Sequence, residues 1–192
     1  GYDSWKATGE ALPKETVEAC QSSQGILLGA TGAGQFEHAG ENIPPGWGRR
    51  QLSRELEYCA SVRPARVFPQ VVNVSPVKPE RIQGTDLVVV REMAWLNKKH
   101  PKTARRTERG RYASDKLFFY EDEIRRLLRF SFLLAQARRK KLCLMAQSSV
   151  FQTSKLFLQV FTEMAKDYPD VAIDTMAPDN CAMQLMRNPA LF

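Results

Sequence analysis

Apolar positions in the second half of the chain recur at clear periods. After Glu121-Asp122-Glu123, the residues Ile124, Leu127, Leu128, Phe132 and Ala135 fall on one face of a helix that closes in Arg138-Arg139-Lys140-Lys141, with acids at the start and bases at the end as the helix dipole favours. Leu142 to Met145 reads as a strand. Thr153 to Asp167 is a second helix, with Leu156, Phe157, Val160, Phe161 and Met164 on one side, and Val171 to Ile173 a second strand. Asp179 begins a last helix that carries Ala182, Met183 and Met186 on one side and stops at Pro189. The first half is less regular. Pro13 opens a short helix over Lys14 to Cys20, and Gly25 to Gly29 reads as a buried strand ending in a glycine turn. Gly32 to Arg50, rich in glycine and broken by Pro44-Pro45, is expected to be loop. Val67-Phe68 and Val71-Val72 are short strand candidates interrupted by Pro69, and Asp86 to Arg91 (DLVVVR) is the clearest central strand. This alternation predicts an α/β fold, a layered and largely buried sheet with helices, as a single domain over 1–192.

Charge adds one feature to that picture. The 192 residues hold 28 Lys+Arg against 21 Asp+Glu, for a net charge of +7. Lys98, Lys99, Lys102, Arg105, Arg106, Arg109 and Arg111 stand against Glu108 alone, so most of the excess lies in one segment. With Pro101, Gly110 and almost no apolar residue, 97–112 reads as an exposed basic loop or extended arm. Such a segment is either a solvated loop or an anion-binding surface. Tyr112 is the one nearby aromatic able to stack on a base and no nucleic-acid reading motif accompanies it, so nucleic acid is not the expected partner. No apolar run approaches the roughly 18 residues of a membrane span, and a membrane partner is not expected. Cys20, Cys59, Cys143 and Cys181 form no CxxC pair and have only His38 and His100 to join them, which fits a reduced cytoplasmic protein better than a zinc site.

Candidate chemistry is sparse. Gly29, Gly32 and Gly34 run G-x-x-G-x-G with no Gly-Lys-Ser/Thr, so the cluster reads as a strand-exit turn rather than a phosphate cradle. Ser148, Ser149 and the cysteines have no histidine partner visible in the sequence. Arg63, before Pro64, and Arg91, closing DLVVVRE, each sit where a strand meets a turn. Two fixed guanidinium forks suit capture of carboxylates, and the plain alternative is a salt bridge with Glu92.

The motifs LLGATG, RELEYCASVRPARVFP, SPVKPERIQGTDLVVVRE, a helix ending ARRKKL, then SSVFQTSKLF, YPDVAID and DNCAMQLMRNP resemble, in order, the β-decarboxylating dehydrogenases: 3-isopropylmalate, tartrate and isocitrate dehydrogenases. The resemblance runs from about Asp3 to Phe192. It implies a truncated isopropylmalate-dehydrogenase-like fold dimerising through helices that match Phe151 to Asp167 and Asp179 to Asn188, with the basic segment in the place of an arm that clasps the partner subunit. The family's carboxylate-binding arginines match Arg63 and Arg91, and its metal-binding aspartate matches Asp179, the one position that speaks for Mg or Mn. A further substrate arginine of the family falls on Ser53, beside Arg54.

The same resemblance implies losses. The family's catalytic tyrosine falls on Lys98, and its general-base lysine, in a VDKANV motif, falls on Gln147, with Ser149 at the asparagine. A carboxamide cannot take up the hydroxyl proton. The segment corresponds to a little over half of a full-length relative, to its substrate and dimerisation region rather than its nicotinamide site, so NAD is not expected. The reading is therefore a redox-inactive homodimer that binds an anionic small molecule through Arg63, Arg91, Gln147 and Ser149, with a non-redox isomerase, lyase, cyclase or hydrolase step open to it. Two alternatives stand beside it: a non-catalytic scaffold or regulatory subunit using the basic arm, and an NAD-dependent dehydrogenase completed by another chain.

Overall fold

The computed structural model describes residues 1–31, 46–94 and 101–192, so Lys98 and the glycines at 32 and 34 lie outside the described residues. The chain divides into two compact units. The first, within 1–58, holds α1 (Tyr2–Thr8), α2 (Lys14–Ser22) and α3 (Trp47–Glu55). Its last helix closes in a hydrogen-bonded C-terminal turn: Glu57 N–H donates to the Arg54 carbonyl at 3.0 Å and Tyr58 N–H to that of Ser53 at 3.1 Å, with Glu57 at φ 48°. With Leu56 N–H donating to the Leu52 carbonyl at 3.0 Å, this gives partners to three carbonyls of the last turn. Two expectations fail in this unit. Gly25 to Gly29 is not a strand, and Leu27 is fully exposed at 101%, because no strand among the described residues pairs with it. The stretch expected as loop up to Arg50 enters α3 at Trp47, driven by the amphipathic spacing that buries Leu52 and Ser53.

The second unit begins with β1 (Ala60–Arg66), a 3₁₀ turn over Pro69–Val74, α4 (Pro79–Ile82) and β2 (Asp86–Glu92). The residues around Pro69 therefore coil instead of extending, since proline has no N–H for a ladder and its fixed φ suits the first position of a tight helical turn. β1 and β2 pair antiparallel with one another alone among the described strands, so DLVVVR lies in a two-stranded ribbon rather than at the centre of a large sheet. The basic segment, expected as an exposed loop or extended arm, takes regular structure from Lys102 onward. It forms β3 (Lys102–Thr107) and β4 (Gly110–Asp115), a separate antiparallel hairpin.

The core forms where the periodicity is strongest. α5 (Glu121–Gln136) begins with a capping box, Tyr120 N–H donating to Glu123 Oε2 at 3.0 Å, and buries all five residues of its predicted face. It ends before the basic run, because Lys140 turns left-handed at φ 57° and Lys141 already belongs to β5 (Lys141–Met145). α6 (Gln152–Ala165), β6 (Ala172–Met176) and α7 (Pro178–Arg187) follow. Phe132 and Phe161, both fully buried, stack at 5.5 Å, and Phe132 stacks on Tyr168 at 4.6 Å. Arg125 joins α5 to α6, with Glu121 and Glu163 each at 2.7 Å. β5 and β6 run parallel, and Leu142 and Leu144 face this helical core. The described sheets are thus three two-stranded ones, and the large buried sheet that was expected is not formed among the described residues. No helix there is long and apolar enough to cross a membrane.

Candidate functional site

The register of the β1–β2 ribbon decides where the two candidate arginines point. Arg63 lies opposite Val89 and Ser61 opposite Arg91. Directly opposed residues share a face of an antiparallel pair, so Arg63 and Arg91 lie on the same face as diagonal neighbours, about 7–8 Å apart by the geometry of such pairs. Both are exposed, and among the described residues neither has an ion-pair partner. The salt bridge to Glu92 is not the arrangement adopted, since Glu92 lies one residue on and so on the ribbon's other face. Two cations held on one rigid face at that spacing suit the two ends of a small dicarboxylate.

Gln147, Ser149 and Asp179 gather elsewhere in the same unit. Met145 and Met176 end the parallel pair in register, and Ala146 N–H donates to the Met176 carbonyl at 3.1 Å. The chain beyond β5 and the chain beyond β6 therefore leave side by side from the carboxyl edge, where ligand sites of parallel sheets are found. The Gln147 carbonyl accepts from Val150 N–H and Phe151 N–H, each at 3.1 Å, which makes the turn that carries Ser149 into α6. Asp179 occupies the first turn of α7. All three side chains are exposed. No hydrogen bond or ion pair among the described residues connects this edge to the arginine face.

Asp179 offers one carboxylate, and among the described residues no group of three His, Cys, Asp or Glu is disposed around a common point. A magnesium ion takes six oxygen ligands, so these residues alone do not fit a metal cage. Cys143 and Cys181 are poor nucleophiles. Burial first, then the Asp174 carboxylate and then Cys181, push the Cys143 thiol up to about 11, and burial raises that of Cys181 as well. Both stay protonated at neutral pH.

One cluster escaped sequence reading. Asp86, at the start of β2, accepts from Arg138 Nη2 at 2.8 Å, Arg139 Nη2 donates to its backbone carbonyl, and Arg66 lies directly across the ribbon. The hydrogen bond from Arg138 is the main reason that its carboxyl is held below its ordinary value, helped by the charges of Arg138, Arg66 and Arg139. The signal was present as ARRKK, which the sequence suggests as the basic close of the helix but which follows α5 in the structure.

The sequence profile of the isocitrate/isopropylmalate dehydrogenase family matches residues 1–192. The chain is 37% identical over 193 residues to 3-isopropylmalate dehydrogenase of Aquifex aeolicus, covering 100% of this chain and 53% of that protein. It is 39% identical over 196 residues to that of Methylococcus capsulatus, covering 100% and 54%. It thus spans about half the length of the curated relatives it matches. Among solved structures, isocitrate dehydrogenase from Methylococcus capsulatus superposes with a TM-score of 0.67 at 24% identity, over 100% of this chain and 54% of that one. A β-decarboxylating dehydrogenase from Thermococcus kodakarensis gives 0.70 at 22%, over 97% and 49%.

Proposed function

The chain belongs to the isocitrate/isopropylmalate dehydrogenase family, and from that premise we propose that it binds a small dicarboxylate through Arg63 and Arg91 without performing the hydride chemistry of its relatives. The observation that carries this reading is the placement of both guanidinium groups on one face of the β1–β2 ribbon with no carboxylate neutralising them among the described residues. An unpaired pair of like charges is a site waiting for an anion.

Against that grip stands Gln147. It occupies the position that matches the family's general-base lysine, and its carboxamide neither accepts nor releases a proton in the working pH range. Lys98, at the position of the tyrosine, keeps a cation where relatives carry a phenol. Removing a hydroxyl proton is the step that the residues at these two positions no longer supply, so any reaction at this site is non-redox, of isomerase, lyase, cyclase or hydrolase type. Gln147 and Ser149 remain able to hydrogen-bond a bound acid. NAD and a divalent metal have no part in this binding.

The exposed Met183 and Met186 of α7, at 44% and 61%, support the homodimer expected through this helix and α6. The free state of all four cysteines fits a reducing cytoplasm. The test is to supply the purified chain with NAD, magnesium and malate-type acids while following NADH absorbance and, separately, the melting temperature. The reading expects a rise in melting temperature with the acid, lost in Arg63→Ala, and no steady NADH. Sustained NADH formation overturns it.

A further inference from the structure

The face of α5 turned away from the core carries charges of both signs. Asp122, Arg126, Arg129 and Leu133 recur at helical spacing opposite the buried Ile124, Leu127, Leu128, Phe132 and Ala135, and all four are exposed, Leu133 at 53%. Arg125 stands beside this stripe with its guanidinium turned to Glu121 and Glu163. Arg126 is already engaged within its own chain. Asp122 and Arg129 differ, for neither has an ion-pair partner among the described residues. Two helical turns separate them, beyond the one-turn spacing at which neighbours on a helix pair.

A surface that pairs with itself about a two-fold axis sets each group against its complement on the other copy, residue i on j and j on i. The stripe meets that condition when two copies of α5 lie antiparallel. Asp122 of each copy then faces the partner's Arg129, and this pair is centred beside Arg126. Tyr120 and Leu133 are centred beside Arg126 as well. The same axis therefore carries each Leu133 over the start of the partner's helix, where the Tyr120 side of the cap is 61% exposed. One ionic pair and one apolar pair thus share a midpoint.

We propose that the outer face of α5 is a reversible contact between copies of this chain, an antiparallel helix pair closed by two Asp122–Arg129 ion pairs and by Leu133 against Tyr120. It is separate from the homodimer expected through α6 and α7, and independent of acid binding at Arg63 and Arg91. A second copy is the occupant that satisfies both charges, whereas a purely acidic or purely basic segment matches one and is repelled by the other. A helix of 16 residues is about 24 Å long. Contact along one such helix is small beside the roughly 800 Å² per partner of a stable interface. The pairing therefore forms at high protein concentration, and salt weakens it.

The test is sedimentation equilibrium of the full chain in low salt, from dilute to concentrated solution. At the dilute end the α5 contact is not populated and the mass reports any other interface alone. At the concentrated end the mass is expected to reach at least twice that value. Asp122→Arg alone and Arg129→Asp alone set like charges against each other, so each is expected to lose this rise. The double exchange, Asp122→Arg with Arg129→Asp, keeps it, and an equimolar mixture of the two single variants regains it, with melting curves confirming that every variant is folded. Met183→Glu with Met186→Glu keeps the rise too, which separates this contact from α7. A wild-type mass that does not change with concentration, a single exchange that associates as wild type does, or a folded double exchange or mixture that fails to associate overturns the proposal.

Discussion

Arg138 Nη2 lies 2.8 Å from Asp86 Oδ1, tying the turn just after α5 to the first residue of β2, the strand that carries Arg91. The contact is exposed, but it is reinforced by Arg139 and Arg66 around the same residue. The folded state holds the Asp86 carboxyl below its ordinary value. A depressed folded pKa means that the carboxylate stabilises the fold above the unfolded value of about 3.9, and that this stabilisation disappears as pH falls through the folded value. Asp86→Asn is therefore expected to lower the melting temperature at pH 7, with the gap to wild type closing below about pH 4. A gap of constant size from pH 7 to pH 3 would exclude this role.

Phe132 touches both Phe161 and Tyr168 in the middle of the helical core. Truncating so large a buried ring removes its transfer free energy and leaves a cavity that the stacked neighbours cannot fill. Phe132→Ala should cost about 3–5 kcal/mol in urea unfolding, and Phe132→Leu distinctly less. Equal costs would mean that the bulk kept by leucine contributes nothing, contrary to the cavity argument.

Gly48 is buried in α3 with the Ala11 carbonyl oxygen 2.7 Å from where a Cβ would stand. The obstruction is backbone, so it cannot swing aside as a side chain would. Gly48→Ala is expected to destabilise by roughly 1–3 kcal/mol despite the better helix propensity of alanine. A gain in melting temperature would show that the approach is looser than described.

Met183 and Met186 leave an apolar strip of α7 in water unless a second copy covers it. If the proposed homodimer forms through this strip, wild type sediments as a dimer at equilibrium and the Met183→Glu, Met186→Glu double variant as a monomer. An unchanged sedimenting mass would remove this helix from the interface.

Much of the second half of the fold was legible because its signals are local. Five apolar positions at helical spacing and a capping acid place α5 with no help from elsewhere, and the short apolar run Leu142 to Met145 is a strand in any setting that offers a partner. The errors lie where pairing decides. Ile26, Leu27 and Leu28 have strand composition and no strand beside them among the described residues, whereas KTARRT and RYASD have little apolar character yet pair through the tight turn at Glu108-Arg109-Gly110, with Gly110 at φ 105°. The candidate site followed the same rule. Arg63 and Arg91 could be named as guanidinium forks, but Arg63 lies mid-way along β1 rather than at a strand end, because β1 runs on to Arg66, and the common face of the two depends on a register that no single strand encodes. Asp86 was invisible as a hub because its partners lie 52 and 53 residues away.

The most direct measurement is a calorimetric titration of a malate-type dicarboxylate into wild type, Arg63→Ala, Arg91→Ala and the double variant. Each charged guanidinium–carboxylate contact is worth about 1.5–3 kcal/mol, so each single loss should weaken binding roughly 10- to 100-fold. The double variant should bind less than either single one, and Gln147→Lys should leave a folded chain that still binds. Equal affinity across all four proteins would contradict the account, because the acid would then be held by something other than the shared face of β1 and β2.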